Sequence, residues 1–219
     1  MGHYRVLVIL PSEAEEDDAE GYVEDLLAPY DENLTVDPYW EDCGCRQQRA
    51  WLQLADATAQ AHGYAHWEAW REAMRTEAAN QPSDVLYLDH VPAFRSIFQM
   101  LDIQAAQQAP ETPADPNCPT CHGRGRYRTI YNPGARWDWW VIGGRWDDPA
   151  GNIRRLREWP ADAPPIAVVT PDGTWHEQAE VGWFGSTHAV MTDAEWQQRW
   201  TDWRALYGDY WAVSVDCHI

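Results

Sequence analysis

At 219 residues, of which 45% are apolar, the chain is long enough for one generous domain or two small ones and has the composition of an ordinary globular protein. No run of about 18 apolar residues occurs, and the basic, apolar and small-residue regions of a signal peptide are missing, which argues against helical membrane spans and points to the cytoplasm. A net charge of −19 makes nonspecific adhesion to DNA unfavourable, and five cysteines, an odd count, do not suit a secreted disulfide framework.

Residues 4–10, YRVLVIL, form a β-branched and aliphatic run closed by Pro11, which predicts a strand buried on both faces. Tyr22, Leu26 and Leu27 predict a short helix ending near Pro29. Trp51, Leu54, Ala55 and Thr58 recur at helical spacing over 46–61, with Gly63 placed as a C-cap, and Trp67, Trp70 and Met74 mark a second helix over 65–79. A short strand is expected at 85–88, and Phe94, Ile97, Phe98 and Leu101 predict a further helix that fades over 104–108. Residues 107–117, QQAPETPADPN, read as a proline-rich connector. Beyond it, strands are expected at 127–131, 137–142 and 166–170, the last entering a turn at 171–173. Thr192 and Glu195 carry a capping-box signature, and Trp196, Trp200, Trp203 and Tyr207 form the core stripe of the helix that follows. A strand over 210–219 closes the chain.

The whole reads as α+β, a mainly antiparallel sheet with helices packed on one side. It is expected as a single domain over 1–219. Within it lie a helical first half (1–109), a connector (110–117) and a β-rich second half (118–219) that opens on a zinc-stabilised turn.

Cys118-Pro-Thr-Cys121, continued by His122-Gly-Arg-Gly125, resembles the C-x-x-C-x-G-x-G element of the zinc-binding region of DnaJ-type chaperones. The resemblance implies a tetrahedral Zn²⁺ held by two such elements. With one element here, Cys43 and Cys45 complete a structural four-thiolate set with Cys118 and Cys121, and His122 or Cys217 stand as substitutes. Such a site would tie the helical half to the β half; reduced thiols in a turn and a redox dithiol are the alternatives. His66-Trp67-Glu68 followed by Pro116-Asn-Cys118-Pro-Thr-Cys121 is also similar to the H-x-E and P-C-x-x-C elements of zinc nucleobase deaminases. An extra Asn and the glycines after Cys121 depart from that pattern.

There is no lysine, and the sixteen positive side chains are unevenly spread. Between residues 124 and 157 eight arginines stand against three acids, a local +5 that leaves −24 for the rest. The same window holds residues 132–146, where Arg136, Trp137, Asp138, Trp139, Trp140, Gly143, Gly144, Arg145 and Trp146 concentrate guanidinium groups and indoles. Alternation would place Trp137 and Trp139 on one face and Asp138 and Trp140 on the other. The Gly-Gly turn then folds Arg145 and Trp146 back, forming a slot in which indoles stack a base, Asp138 accepts from its edge and arginine holds phosphate. The segment is similar to uncharacterised bacterial and phage proteins sharing N-P-x-x-x-W-D-W-W/Y-x-I-G-G-R-W, which implies a bacterial or phage origin. Trp137-Asp138 and Gly143-Gly144-Arg145-Trp146 also resemble the W-E and G-G-R-W elements of the eukaryotic mRNA-cap-binding initiation factor, implying that Trp137 and Asp138 grip a base. The alternative is that these tryptophans are core.

In the last strand, Ser214, Asp216 and His218 share a face, with Asp216 placed to orient His218 for acid–base work; a solvated strand face is the alternative. The expected function is binding of a nucleotide or nucleic-acid end. Its rivals are a nucleotide- or phosphoester-processing enzyme using Asp138, Arg145, Asp216 and His218, and an acidic protein that mimics nucleic acid to fill a partner's basic groove.

Overall fold

The computed structural model describes residues 2–79, 92–181 and 187–219, apart from the side chains at 77–79, 92–95, 180–181 and 187–188. The strand expected at 85–88 lies outside the described residues. In chain order the elements are β1 (His3–Ile9), α1 (Ala19–Leu27), β2 (Tyr39–Asp42), α2 (Cys45–Ala61), α3 (Trp67–Ala79), α4 (Pro92–Gln108), β3 (Arg126–Thr129) and β4 (Trp139–Ile142). They continue with β5 (Ile153–Arg155), β6 (Ala167–Val169), β7 (Trp175–Glu177), β8 (Ala179–Val181), β9 (Thr187–Ala189), α5 (Asp193–Tyr207) and β10 (Trp211–His218). The fold is α+β. No described helix is long and apolar enough to cross a membrane.

Contacts gather the chain into two units, one made of Met1–Asp37 with Ile130–Ile219 and the other of Pro38–Thr129. The second is thus an insertion in the sequence of the first, and the proline-rich residues 110–117 fall inside it.

The first unit is built on a six-stranded sheet ordered β4-β10-β1-β6-β7, with β5 pairing β10 alongside β4. Only the β1–β6 pairing is parallel. β1 is apolar on both faces, so each face demands cover. Tyr4, Val6 and Val8 pack with Ala19, Val23 and Leu27 of α1, while Leu7 and Ile9 pack with Trp196 and Trp200 of α5. The helices of this unit therefore lie on both faces of the sheet, not on one side as expected. α5 begins at the Thr192–Glu195 capping box, and its buried indoles donate to the carbonyls of Pro165 at 2.8 Å and Pro160 at 3.0 Å.

In the second unit α2, α3 and α4 enclose a small core of Ala55, Ala59, Trp67, Trp70 and Leu101. β2 and β3, its two ends in sequence, pair antiparallel with Trp40 opposite Arg128 and Asp42 opposite Arg126.

Candidate functional site

Two constellations stand out, one in each unit. In the inserted unit, Cys43 follows β2, Cys45 opens α2, and Cys118 and Cys121 sit on the turn before β3. Their four Sγ atoms all lie within 4.8 Å of one another, with Cys43–Cys118 and Cys45–Cys121 each at 3.6 Å. A tetrahedron with metal–sulfur bonds of about 2.3 Å has sulfur–sulfur edges of about 3.8 Å, so the cluster can hold a metal ion.

The backbone makes this possible locally. His122, Gly123 and Gly125 all take positive φ, turning the chain so that His122 N–H reaches the Cys118 carbonyl at 2.9 Å and Arg124 N–H the Cys121 carbonyl at 3.0 Å. A side chain at Gly125 would run into the Arg46 guanidinium. Hydrogen bonds from the Cys121 and Thr120 amides bring the Cys118 thiol down to about 7, whereas burial and the neighbouring thiols push Cys43 and Cys45 up. All four cysteines belong to the inserted unit, so the cluster joins the two ends of that segment, where a link between a helical and a β half was expected. Neither proposed substitute lies in the cluster. His122 is exposed, and Cys217 lies in the β10 core, where burial raises its thiol pKa. His66 also stands apart, its Nδ1 accepting from Ala69 N–H at 3.2 Å at the start of α3.

The second constellation lies on one face of the sheet, beyond the part that α5 covers. His3 of β1, His218 of β10 and Trp139 of β4 are register partners across three strands. Trp139 stacks on His218 with centroids 5.3 Å apart and planes at 16°, and the rings of His3 and His218 meet edge to face at 4.8 Å. Each imidazole is backed by a carboxylate: His3 Nδ1 to Asp216 Oδ1 at 3.0 Å and His218 Nδ1 to Asp138 Oδ1 at 2.6 Å. Donation from Nδ1 fixes the neutral tautomer with Nε2 as the acceptor.

Asp216 is 2% exposed, and its other oxygen accepts the Arg145 backbone N–H at 3.0 Å. The Gly-Gly turn makes that bond possible: Gly143 and Gly144 both have positive φ. A Cβ on Gly144 would stand 2.6 Å from the Asp216 Cβ.

Arg5, opposite Asp216 in the register, extends the same face. Its Nε donates to Ser214 Oγ at 3.1 Å, and its guanidinium lies 4.9 Å from the Trp159 ring, which also carries Arg154 at 3.8 Å. Loss of hydration lowers the Arg5 pKa, Asp148 opposing and Arg154 adding to the effect. Arg154 is paired with Asp148 at 2.6 Å; Arg5 has no ion pair among the described residues.

Of the residues singled out in the sequence, Asp138, Trp139, Gly144, Arg145, Asp216 and His218 come together here. Ser214 joins them on the same face. The pairing differs from expectation, since Asp216 serves His3 and leaves His218 to Asp138. Positions two apart on a strand face are separated by about 7 Å, whereas directly opposed residues on neighbouring strands lie about 4.5–5.5 Å apart, so cross-strand partners win. Trp137 does not share a slot with Trp139. It precedes β4, is 8% exposed, and donates its indole N–H to the Leu27 carbonyl at 3.0 Å. Trp140 packs against the same α1-side core, and Arg136 pairs with Glu177 at 3.4 Å. Trp146 ends the short turn that Gly144 begins. His3 and Arg5 were not anticipated. Comparison of the chain with protein-family models, with curated proteins and with solved structures finds no match.

Proposed function

We propose that the sheet face of the first unit is an acid–base site acting on a nucleotide or related aromatic phosphoester. The observation that carries this reading is the pair of carboxylate-backed imidazoles, His3–Asp216 and His218–Asp138, with their rings 4.8 Å apart. Two imidazoles so placed suit phosphoryl transfer. One Nε2 takes the proton from the attacking hydroxyl or water as the new P–O bond forms, and the other, protonated, gives a proton to the leaving oxygen as the old bond breaks. Arg5 supplies a fixed, half-buried cation for the phosphoryl oxygens. Trp139, 43% exposed, offers an indole for stacking a base, and exposed Arg145 a second cation at the rim.

The test is turnover of a panel of nucleotides and nucleotide esters followed by ³¹P NMR, with thermal shifts measured on the same samples. Turnover abolished in His3→Ala and His218→Ala, with the nucleotide-induced shift retained, is the expected result. A shift without turnover in the native protein would leave binding of a nucleotide or nucleic-acid end as the function. Neither signal would end the proposal.

For the inserted unit we infer that the four thiolates hold one structural Zn²⁺. Four sulfur donors at tetrahedral spacing, with no open position, suit zinc over harder cations. Elemental analysis of the purified chain is expected to give one zinc per molecule; iron in its place, or no metal, would refute this assignment.

A further inference from the structure

We propose that the β2–β3 ribbon and the arginines around the thiolate cluster form a second site, which binds a single strand of nucleic acid. This site lies in the inserted unit and does not rest on the acid–base reading. The outward face of the ribbon carries Trp40, Arg126 and Arg128, together with Asp42. Trp40 is 49% exposed, and the Arg126 guanidinium lies 4.9 Å over its ring. An indole of this size, held open to water and already stacked on one side by a guanidinium, is a platform for an unpaired base.

Arg46, Arg49, Arg124 and Arg128 donate to the backbone carbonyls of Pro110, Ala114, Cys121 and Pro38. None of these four, nor Arg126, forms an ion pair with a carboxylate among the described residues. Of the other arginines with described side chains, Arg71, Arg75, Arg136, Arg154 and Arg157 pair with Glu or Asp, and Arg5, Arg145, Arg155, Arg199 and Arg204 form no such pair among the described residues. In a chain of net charge −19, these five arginines gather positive charge in one segment, with Asp42 facing Arg126 across the ribbon. A divalent ion in four thiolates leaves two negative charges, which Arg46 and Arg124 beside the cluster can balance. Arg126 and Arg128 remain on the open ribbon face, about 7 Å apart along the strand, a separation that suits neighbouring phosphates of an extended chain. The acidic remainder of the protein repels a duplex and restricts contact to a few phosphates, so a short single strand is the ligand that fits.

The experiment is fluorescence anisotropy of the full chain with labelled 12-nucleotide DNA and RNA single strands, the matching duplex, and polyglutamate. Single strands are expected to bind more tightly than duplex. About three phosphate contacts give a log–log salt slope of roughly −2. Trp40→Ala and the double variant Arg126→Ala/Arg128→Ala are each expected to weaken binding at least tenfold, with metal content and circular dichroism unchanged. Absence of single-strand binding at low salt, or affinity unchanged in both variants, overturns the proposal. Polyglutamate binding as tight as the oligonucleotide and insensitive to Trp40→Ala would overturn it in favour of an acidic protein partner.

Discussion

The backbone of Gly144 and the carboxylate of Asp216 fill one small space: a Cβ at position 144 would lie 2.6 Å from both Cβ and Oδ2 of Asp216, and φ there is +58°. Gly144→Ala is therefore penalised twice, by strain and by contact, and is expected to cost about 1–3 kcal/mol. Urea unfolding measures this. A midpoint equal to that of the native chain would show that the turn relaxes freely.

Asp216 and Asp138 hold their imidazoles by charge as well as by hydrogen bonding. Asp216→Asn and Asp138→Asn preserve volume but weaken the preference for the Nδ1–H tautomer. On any substrate of the proposed site, turnover is expected to fall by about 10²–10⁴-fold. ¹⁵N imidazole shifts should report the tautomer change, and unchanged shifts in both variants would remove the positioning role.

Two tryptophans stand toward opposite ends of the range of burial. Trp200 is 1% exposed and Trp139 43% exposed. Trp200→Ala should cost about 3–5 kcal/mol, whereas Trp139→Ala should fall within about 1 kcal/mol of native stability. Equal losses on denaturation would contradict the assignment of one to core and the other to site.

His176 packs 4.9 Å from Trp203 and shares a hydrogen bond with Thr170 Oγ1 at 3.3 Å. Burial lowers its pKa, Arg199 adding to the effect and Asp172 opposing it. A depressed histidine leaves the unfolded chain binding more protons, so its favourable contribution is whole above about pH 6.5 and is lost as pH falls from there toward the folded value. His176→Gln should flatten the fall in stability that begins below about pH 6.5. Asp148 and Asp172, also depressed, should leave a separate loss below about pH 4. An identical slope in His176→Gln at the higher pH would show that another group is responsible.

Metal removal tests the clasp. Chelation, or Cys121→Ser, is expected to reduce helicity at 222 nm through loss of order in the inserted unit. Zn²⁺, but not Mg²⁺, should restore the chelated native chain. Full helicity in metal-free protein would show that the thiols pack without an ion.

Much of this architecture could be read from residue patterns. β1 and β10 announce themselves as β-branched runs, α5 through its capping box and Trp stripe, and the thiolate cluster through C-x-C and C-x-x-C. Strand pairing could not be read, because nothing local to His3 says that it faces His218. Once β1 is set antiparallel to β10, alternation places His3 and Arg5 on the face of Ser214, Asp216 and His218. The same gap explains Trp137: alternation was extended one turn of the pleat too early, before the strand that begins at Trp139. The insertion was hidden for a related reason, since the segment's ends meet through β2 and β3, whose paired residues stand 84 (Asp42 and Arg126) to 90 (Tyr39 and Thr129) positions apart.

The partnership of β1 with β10 also sets a timetable. His3 and Asp216 are separated by 213 positions, so at synthesis rates of about 5–20 residues per second the second emerges roughly 10–40 s after the first. Through that interval β1, buried along most of its length, has no antiparallel neighbour, and neither imidazole has its complete surroundings. A nascent chain is thus adhesive, and the yield of folded molecules will depend on how well that strand is sheltered until translation reaches β10.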